Sequence, residues 1–305
     1  MNPGLNTCEF AMDTVPTPET AGVPLLRSYT LTLGGQRRIV VPGDEAAAGV
    51  VDRLAAAMRL RAAGSADSRG AVASGRRVCV LSHGHPAPPG AEQAPACVLR
   101  PSRQEDALFC HFLDVSLALA RDMRDQGAML VHGALAERGG KGVLLCAPGG
   151  VGKTTASRRL PPPWVSLCDD TTLLRPGGTG AFRAHPWPTW SNFLPGGPGG
   201  RWNVQYSVPL AGIYFLARAT DDRAERLGSG RALAMLADAT QQAMRVMERG
   251  LSDDEVRASR LERFGHLCAM AKTVPAFRLH ISLNGTFWEC LDWLGCRHKE
   301  KSWMR

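Results

Sequence analysis

Residues 147–154 have the sequence A-P-G-G-V-G-K-T, which is typical of a phosphate-binding loop, or P-loop. Glycines let the backbone fold into a nest whose N–H groups point at a phosphate, and Lys153 adds a positive charge for the β- and γ-phosphates. The apolar run Val143–Cys146 before the loop predicts a strand, and the pattern from Lys153 to Leu160 predicts a helix. Because this strand–loop–helix order is the context that the motif requires, we expect the chain to bind a nucleoside triphosphate.

The nucleotide and its metal define the first set of candidate residues. The Thr154 hydroxyl is expected to coordinate Mg²⁺, so ATP and Mg²⁺ are the predicted cofactors, although the motif does not distinguish ATP from GTP. Ala147 stands where the usual pattern has its first glycine. The predicted nucleotide-binding residues are Pro148, Gly149, Gly150, Val151, Gly152, Lys153, Thr154 and Thr155.

Two consecutive carboxylates follow the next predicted strand, Trp164–Leu167. Asp169 and Asp170 begin sixteen residues beyond Lys153, at a position that lies beside the phosphate loop in a P-loop sheet. One carboxylate can hold Mg²⁺ while the other accepts a proton from an attacking hydroxyl. An ordinary acidic surface turn is the alternative interpretation.

Three segments together resemble the C-terminal catalytic domain of HPr kinase/phosphorylase. They are Val131-His132-Gly133, the loop Gly149–Thr154, and Leu167-Cys168-Asp169-Asp170, in the same order and with near-identical spacing. The resemblance implies an α/β fold with a P-loop domain of the HPr kinase and PEP carboxykinase type. It also implies that Asp169 is the catalytic base, that Asp170 and Thr154 hold the magnesium, and that His132 orients or tunes the base. Lys153 of the loop is a further predicted catalytic residue.

Within that group the sequence is most similar to the HPr-kinase-like member of the SynChlorMet cassette, a bacterial gene set for modified peptides. The matching segments are Val131–Ala136, Ala147–Leu160 and Ala184–Ser191, and the resemblance covers about residues 105–295. It implies phosphorylation of a hydroxyl on a ribosomal peptide or its carrier. The later signature of the phosphorylase activity has no counterpart here, so the reverse reaction is not expected. The third acidic magnesium contact of the family also has no clear counterpart, which keeps an accessory role without phosphate transfer open.

Composition and patterning divide the chain into three parts. Residues 1–24 predict a disordered arm, residues 25–104 a small α+β module, and residues 105–305 the P-loop kinase domain. The chain has 44% hydrophobic and 21% charged residues, which is typical of a globular protein.

No apolar run is long enough to span a bilayer and no secretory signal is evident, so a cytoplasmic protein without membrane contact is expected. The oligomeric state stays open, a homo-oligomer included.

An irregular stretch rich in glycine, proline and tryptophan extends from Pro176 to Trp202. His185, Trp187 and Trp190 lie within it and are the predicted contacts for an acceptor peptide, because long loops with rigid aromatic side chains often form recognition surfaces. The alternative is that these aromatic side chains pack beneath the loop and close the core.

Three functions fit these observations. The first is a Mg-ATP-dependent kinase acting on a hydroxyl of a peptide, a protein carrier or a small metabolite. The second is an ATP-binding accessory protein or slow ATPase that presents a precursor peptide to other modifying enzymes. A nucleic-acid-associated ATPase rests only on the net charge of +8, because no nucleic-acid-binding module is recognisable.

Overall fold

The computed structural model describes residues 26–64, 77–86, 94–99, 107–194, 197, 199–245, 248 and 251–294. The predicted arm 1–24 lies outside these residues. Within them the chain has a mixed α/β structure, as the sequence predicts. Its α-helices are α1 (Glu45–Met58), α2 (Ala107–Asp122), α3 (Lys153–Arg159), α4 (Ser229–Met244) and α5 (Asp253–Thr273).

The N-terminal part forms a five-stranded sheet with the order β3-β1-β2-β4-β5. The predicted hairpin is confirmed: β1 and β2 are joined at Gly34-Gly35, where φ angles of 59° and 80° favour glycine. Asp44 caps α1 by accepting a hydrogen bond from the Ala47 N–H over 2.9 Å. The strands are β1 (Tyr29–Leu33), β2 (Gln36–Pro42), β3 (Arg61–Ala62), β4 (Arg77–Ser82) and β5 (Ala96–Leu99).

The second sheet has eight strands and carries the candidate site. Its order is β10-β9-β6-β7-β11-β13-β12, with β8 also paired to β6. The central strands β7, β11 and β13 are parallel to one another, whereas their neighbours are antiparallel. The strands are β6 (Met129–Arg138), β7 (Lys141–Cys146), β8 (Val165–Cys168), β9 (Thr171–Pro176), β10 (Phe182–Trp187), β11 (Val208–Arg218), β12 (Arg223–Arg226) and β13 (Ala276–Ile281).

Both faces of the second sheet are buried, as expected for its parallel centre. One face packs against α4 and α5 through residues such as Leu236 and Leu267. The other packs against α3 and a 3-10 helix, Phe287–Leu294, through Ala156, Phe287 and Leu291. The predicted strand before the glycine-rich loop and the predicted helix after it are therefore both present, and each is fixed by packing.

The predicted irregular stretch from Pro176 to Trp202 is more regular than its composition indicates. It contains β10 and a 3-10 turn, Trp190–Phe193. β10 forms because six of its residues pair in register with β9, from Phe182 opposite Pro176 to Trp187 opposite Thr171. The strand depends on its pairing with β9, which the local sequence does not show. The nearby prolines and glycines therefore predict an irregular segment where a strand forms.

The hydrophobic core is continuous between the two predicted modules. Leu31 and Val51 of the first module belong to the same buried cluster as Phe112 and Val115 of α2. The boundary between residues 25–104 and residues 105–305 stays a prediction. Among the helices that the structure describes, none has the length and apolar character needed to cross a membrane.

Candidate functional site

The glycine-rich loop leaves the carboxyl end of β7 and leads directly into α3. Gly150 and Gly152 have φ angles of 77° and 119°, which only glycine adopts readily. A Cβ atom built on either residue would meet no heavy atom within 4 Å, so backbone conformation and not crowding requires glycine here. The loop thus has open space beside it and α3 begins at its end, where unpaired N–H groups attract anions.

Strand register brings three other segments to this loop. β6 runs antiparallel to β7 with Gly133 opposite Cys146, so His132 lies beside the start of the loop. β8 and β9 follow one another along the opposite edge of β6, with His132 opposite Thr171. Because Asp169 and Asp170 connect β8 to β9, the sheet brings this connection close to His132, and Asp170 is the carboxylate that lies next to it.

Lys153 is the most enclosed charged group of the site. Its ammonium donates hydrogen bonds to His132 Nε2 over 2.7 Å and to the Ala147 carbonyl over 2.8 Å, and it lies 3.5 Å from the Pro148 carbonyl. Asp170 Oδ1 is 4.0 Å from the same nitrogen. Burial lowers the pKa of Lys153, and the negative charge of Asp170 partly opposes that shift. The loop and His132 therefore hold the ammonium in place.

The contact with Lys153 favours one tautomer of His132. Its Nε2 accepts from Lys153, so the proton of the neutral ring is on Nδ1, which lies 3.5 Å from Asp170 Oδ1. Burial lowers the pKa of His132, the Asp170 carboxylate opposes this shift, and the Lys153 charge adds to it. Together Lys153, His132 and Asp170 form a connected cluster, which we call the Lys–His–Asp cluster.

The two carboxylates have different neighbours. Asp170 belongs to the Lys–His–Asp cluster, whereas Asp169 Oδ1 accepts a hydrogen bond from the Thr189 hydroxyl over 3.2 Å. Both are half-buried. His132 contacts Asp170, so its expected effect on the predicted base Asp169 is not carried by a direct contact. The role of Asp169 as base and the role of His132 in orienting it stay predictions.

The donor set fits a magnesium ion that arrives with a nucleotide. The hard oxygen donors predicted to hold the ion are the Thr154 hydroxyl and the Asp170 carboxylate, and Asp169 adds a second carboxylate nearby. Within the described residues there is no group of three or more His, Cys, Asp or Glu side chains that could hold a metal by itself. Mg²⁺ commonly binds through one or two carboxylates together with substrate phosphates and water, so this sparse set suits Mg²⁺ better than a resident metal.

Arg218 belongs to the site but was missed from the sequence. It ends β11 and donates hydrogen bonds to the Gly150 carbonyl and, over 3.4 Å, to the Val151 carbonyl. It also lines a cavity of about 320 Å³ beside the loop, together with Gly152 and Thr155. A lone exposed arginine gives no local signal, although the carboxyl end of a strand parallel to β7 is where ligands bind in α/β sheets.

The predicted acceptor contacts His185, Trp187 and Trp190 are all buried. His185 Nδ1 donates to the Val204 carbonyl over 2.9 Å, and Trp190 Nε1 donates to Ser116 Oγ over 2.6 Å. Trp190 also packs 4.9 Å from Phe112, measured between ring centroids. Their burial favours the packing interpretation, because none of the three side chains presents a surface to a peptide.

One family model matches this chain over residues 96–294, and its description is SynChlorMet cassette protein ScmC. The chain belongs to the ScmC family. The matched range includes the glycine-rich loop and every member of the Lys–His–Asp cluster, so the cassette link predicted from the sequence is confirmed. Comparison of this ScmC-family chain with curated proteins gives no match.

Proposed function

We propose that this ScmC-family chain is a Mg-ATP-dependent kinase of the HPr-kinase-like type that phosphorylates a hydroxyl of a peptide or protein during peptide modification. The observation that carries the proposal is the Lys–His–Asp cluster beside an open glycine-rich loop. The family match supports a role in a peptide-modification cassette.

The loop offers backbone N–H groups and one ammonium to a chain of phosphates. An ammonium has three N–H donors. Two donors of Lys153 are engaged by His132 and Ala147 at 2.7 and 2.8 Å, while the Pro148 carbonyl lies at the longer distance of 3.5 Å. The third donor can therefore turn toward a phosphate oxygen without loss of the two short bonds.

When bound, magnesium supplies positive charge to the phosphate oxygens. In this chain Thr154 and Asp170 would coordinate the ion. Asp170 suits this role because it is 4.0 Å from the ammonium of Lys153, the group that is expected to contact the phosphates. Asp169 is assigned as the base: it takes the proton of the acceptor hydroxyl while the hydroxyl oxygen bonds to the γ-phosphorus and the bond to ADP breaks. Its contact with the Thr189 hydroxyl indicates that Asp169 Oδ1 can accept a hydrogen bond from an alcohol.

Phosphate transfer tests the proposal directly. Purified protein, Mg²⁺ and ATP labelled on its γ-phosphate are incubated with the precursor peptide of the cassette. We expect a labelled peptide, and we expect the Asp169→Asn variant to transfer phosphate about a hundredfold or more slowly while it still binds ATP. Asp221→Asn, which changes an exposed acid, serves as the matched control.

Three results would contradict the proposal or part of it. ADP formed without labelled peptide would favour the accessory ATPase. A Lys153→Ala variant with unchanged ATP affinity would refute the phosphate site. If Asp169→Asn were active and Asp170→Asn inactive, Asp170 would be assigned as the base and Asp169 to the magnesium ion.

A further inference from the structure

A second cavity, of about 720 Å³, lies between the N-terminal sheet and the segment 203–206. Three arginines from separate elements line it: Arg37 of β2, Arg59 after α1, and Arg61 of β3. No acidic residue is among the described residues that line it. The cavity shares no lining residue with the glycine-rich loop or the Lys–His–Asp cluster, so we call it the arginine cavity.

The register of the sheet directs the polar side chains to one face. Thr30 pairs with Arg61, and Thr32 pairs with Arg37. Cross-strand partners share a face of a sheet, and Thr30 and Thr32 are two residues apart on β1, so these four side chains share one face. Arg37 and Arg61 are thus carried by paired strands rather than by loops.

The backbone conformation of Arg59 brings the third arginine to the cavity. Its φ of 53° is the one positive value at a non-glycine residue in the described part of the chain. This conformation ends α1, with the Leu60 N–H bonded to the Ala55 carbonyl over 2.9 Å. The chain then turns at once into β3, so Arg59 and Arg61 both line the cavity.

Gln205 occupies a position that a neighbouring strand would otherwise take. Its side-chain oxygen accepts from the Thr32 N–H and its side-chain nitrogen donates to the Arg59 carbonyl, both over 3.1 Å. The amide therefore acts as a peptide group inserted at the edge of β1, beyond the two-residue strand β3. Gln205 thus already fills this part of the strand edge, and a bound peptide would lie beside it in the cavity.

A buried hydroxyl in the lining also has no partner. Thr30 is 6% exposed, and its Oγ1 makes no hydrogen bond to any described residue. Buried hydroxyls are normally hydrogen-bonded, to an ordered water where no protein group is near, so Thr30 adds a polar position to the wall of the cavity.

We propose that the arginine cavity binds an acidic segment of an extended peptide. Guanidinium groups pair with carboxylates through charge-assisted hydrogen bonds, and the paired strands hold Arg37 and Arg61 on one face of the sheet, where successive acidic side chains of an extended peptide can reach them. A single-stranded nucleic acid fits less well, because Tyr206 is the one aromatic among the described lining residues and such sites usually stack several bases. Binding here does not depend on phosphotransfer.

Fluorescence anisotropy with two synthetic peptides tests this inference. One peptide alternates glutamate with threonine, and the other has glutamine in place of each glutamate. We expect the full-length protein to bind the glutamate peptide about tenfold or more tightly than the glutamine peptide, with an affinity that falls as salt is added. Nucleotide is left out, so failure of the kinase proposal does not affect the result.

Paired arginine variants localise the binding. Arg59→Gln/Arg61→Gln should weaken binding of the glutamate peptide about tenfold or more. Arg231→Gln/Arg257→Gln removes two exposed arginines elsewhere, lowers the net charge equally, and should leave binding unchanged. Unchanged thermal unfolding midpoints would establish that both variants are folded.

Several results would overturn the inference. They are equal affinity for both peptides, equal loss of binding in both double variants, or full binding by Arg59→Gln/Arg61→Gln. Tighter binding of a single-stranded oligonucleotide than of the glutamate peptide would assign the cavity to nucleic acid. If Arg59→Gln/Arg61→Gln were unstable, Arg37→Gln on β2 gives the same test and must also weaken binding.

Discussion

The ammonium of Lys153 donates a 2.7 Å hydrogen bond to Nε2 of His132, twenty-one residues earlier in the chain. Two basic side chains in contact avoid repulsion only when one is neutral. Here the imidazole is neutral, because burial lowers the pKa of His132. This contact links the strand β6 to the glycine-rich loop and gives the site its first testable consequence.

Opposite charges on either side of His132 should move its pKa in opposite directions. In protein free of nucleotide and magnesium, Lys153→Met should raise the pKa of His132, because a positive neighbour that disfavours the imidazolium is gone. Asp170→Asn should lower it, because a negative neighbour is gone. Ring-nitrogen NMR titration measures both shifts and should show the proton on Nδ1. Shifts of the same sign, or a proton on Nε2, would contradict the cluster.

Arg218 is expected to hold the glycine-rich loop in its binding conformation. Arg218→Ala removes two hydrogen bonds to the Gly150 and Val151 carbonyls and should weaken ATP binding about threefold to tenfold. Amide hydrogen exchange over residues 147–154 should become faster in the same variant even without nucleotide. Arg231→Ala, at an exposed position on α4, is the control. Unchanged exchange would show that Arg218 does not hold the loop.

His185 should make the fold sensitive to mild acid. Burial lowers its pKa to about 4 from an ordinary value of 6.5, so the unfolded chain takes up the proton before the folded chain does. The free energy of unfolding should therefore fall as the pH drops through 6.5 toward about 4, by about 3 kcal/mol from this group. His185→Gln should lack that decrease in urea unfolding curves.

Glu248 titrates over a lower pH range than His185, and its effect on the free energy of unfolding must be separated from that of His185. Hydrogen bonds from Arg260 hold the pKa of Glu248 at about 2, below its ordinary 4.5, so its contribution is lost as the pH falls from 4.5 to 2. A His185→Gln curve parallel to the wild-type curve between about pH 6.5 and pH 4.5 would contradict the assignment to His185.

Trp190 is expected to contribute to stability and not to acceptor recognition. Ser116→Ala should cost about 1–3 kcal/mol, because it leaves the buried indole N–H without its acceptor. Trp190→Phe removes the donor and part of the contact with Phe112. The double variant should lose less stability than the sum of the two, as chemical unfolding can measure. A Trp190→Phe variant of normal stability but raised KM for the peptide would restore Trp190 to the acceptor site.

Much of the local structure could be predicted from the sequence. The hairpin at Gly34-Gly35, the cap at Asp44 and the strand–loop–helix order around Gly150 and Gly152 all follow from preferences that act within a few residues. The helical patterns in the last third of the chain are likewise present as α4 and α5. The strand β10 was missed, because its pairing with β9 outweighs the local effect of its prolines.

Residue types and their spacing thus determined by themselves where a phosphate loop can form and which carboxylates can accompany it, whereas the resemblance to a known family singled out His132. Only the tertiary structure decided that His132 contacts Lys153 and Asp170, that Arg218 reaches the loop, that Trp190 is buried, and that three arginines share one cavity. The physical reason is that backbone preferences act locally, whereas contacts between distant side chains depend on strand order and register, which are set by burial of the whole core.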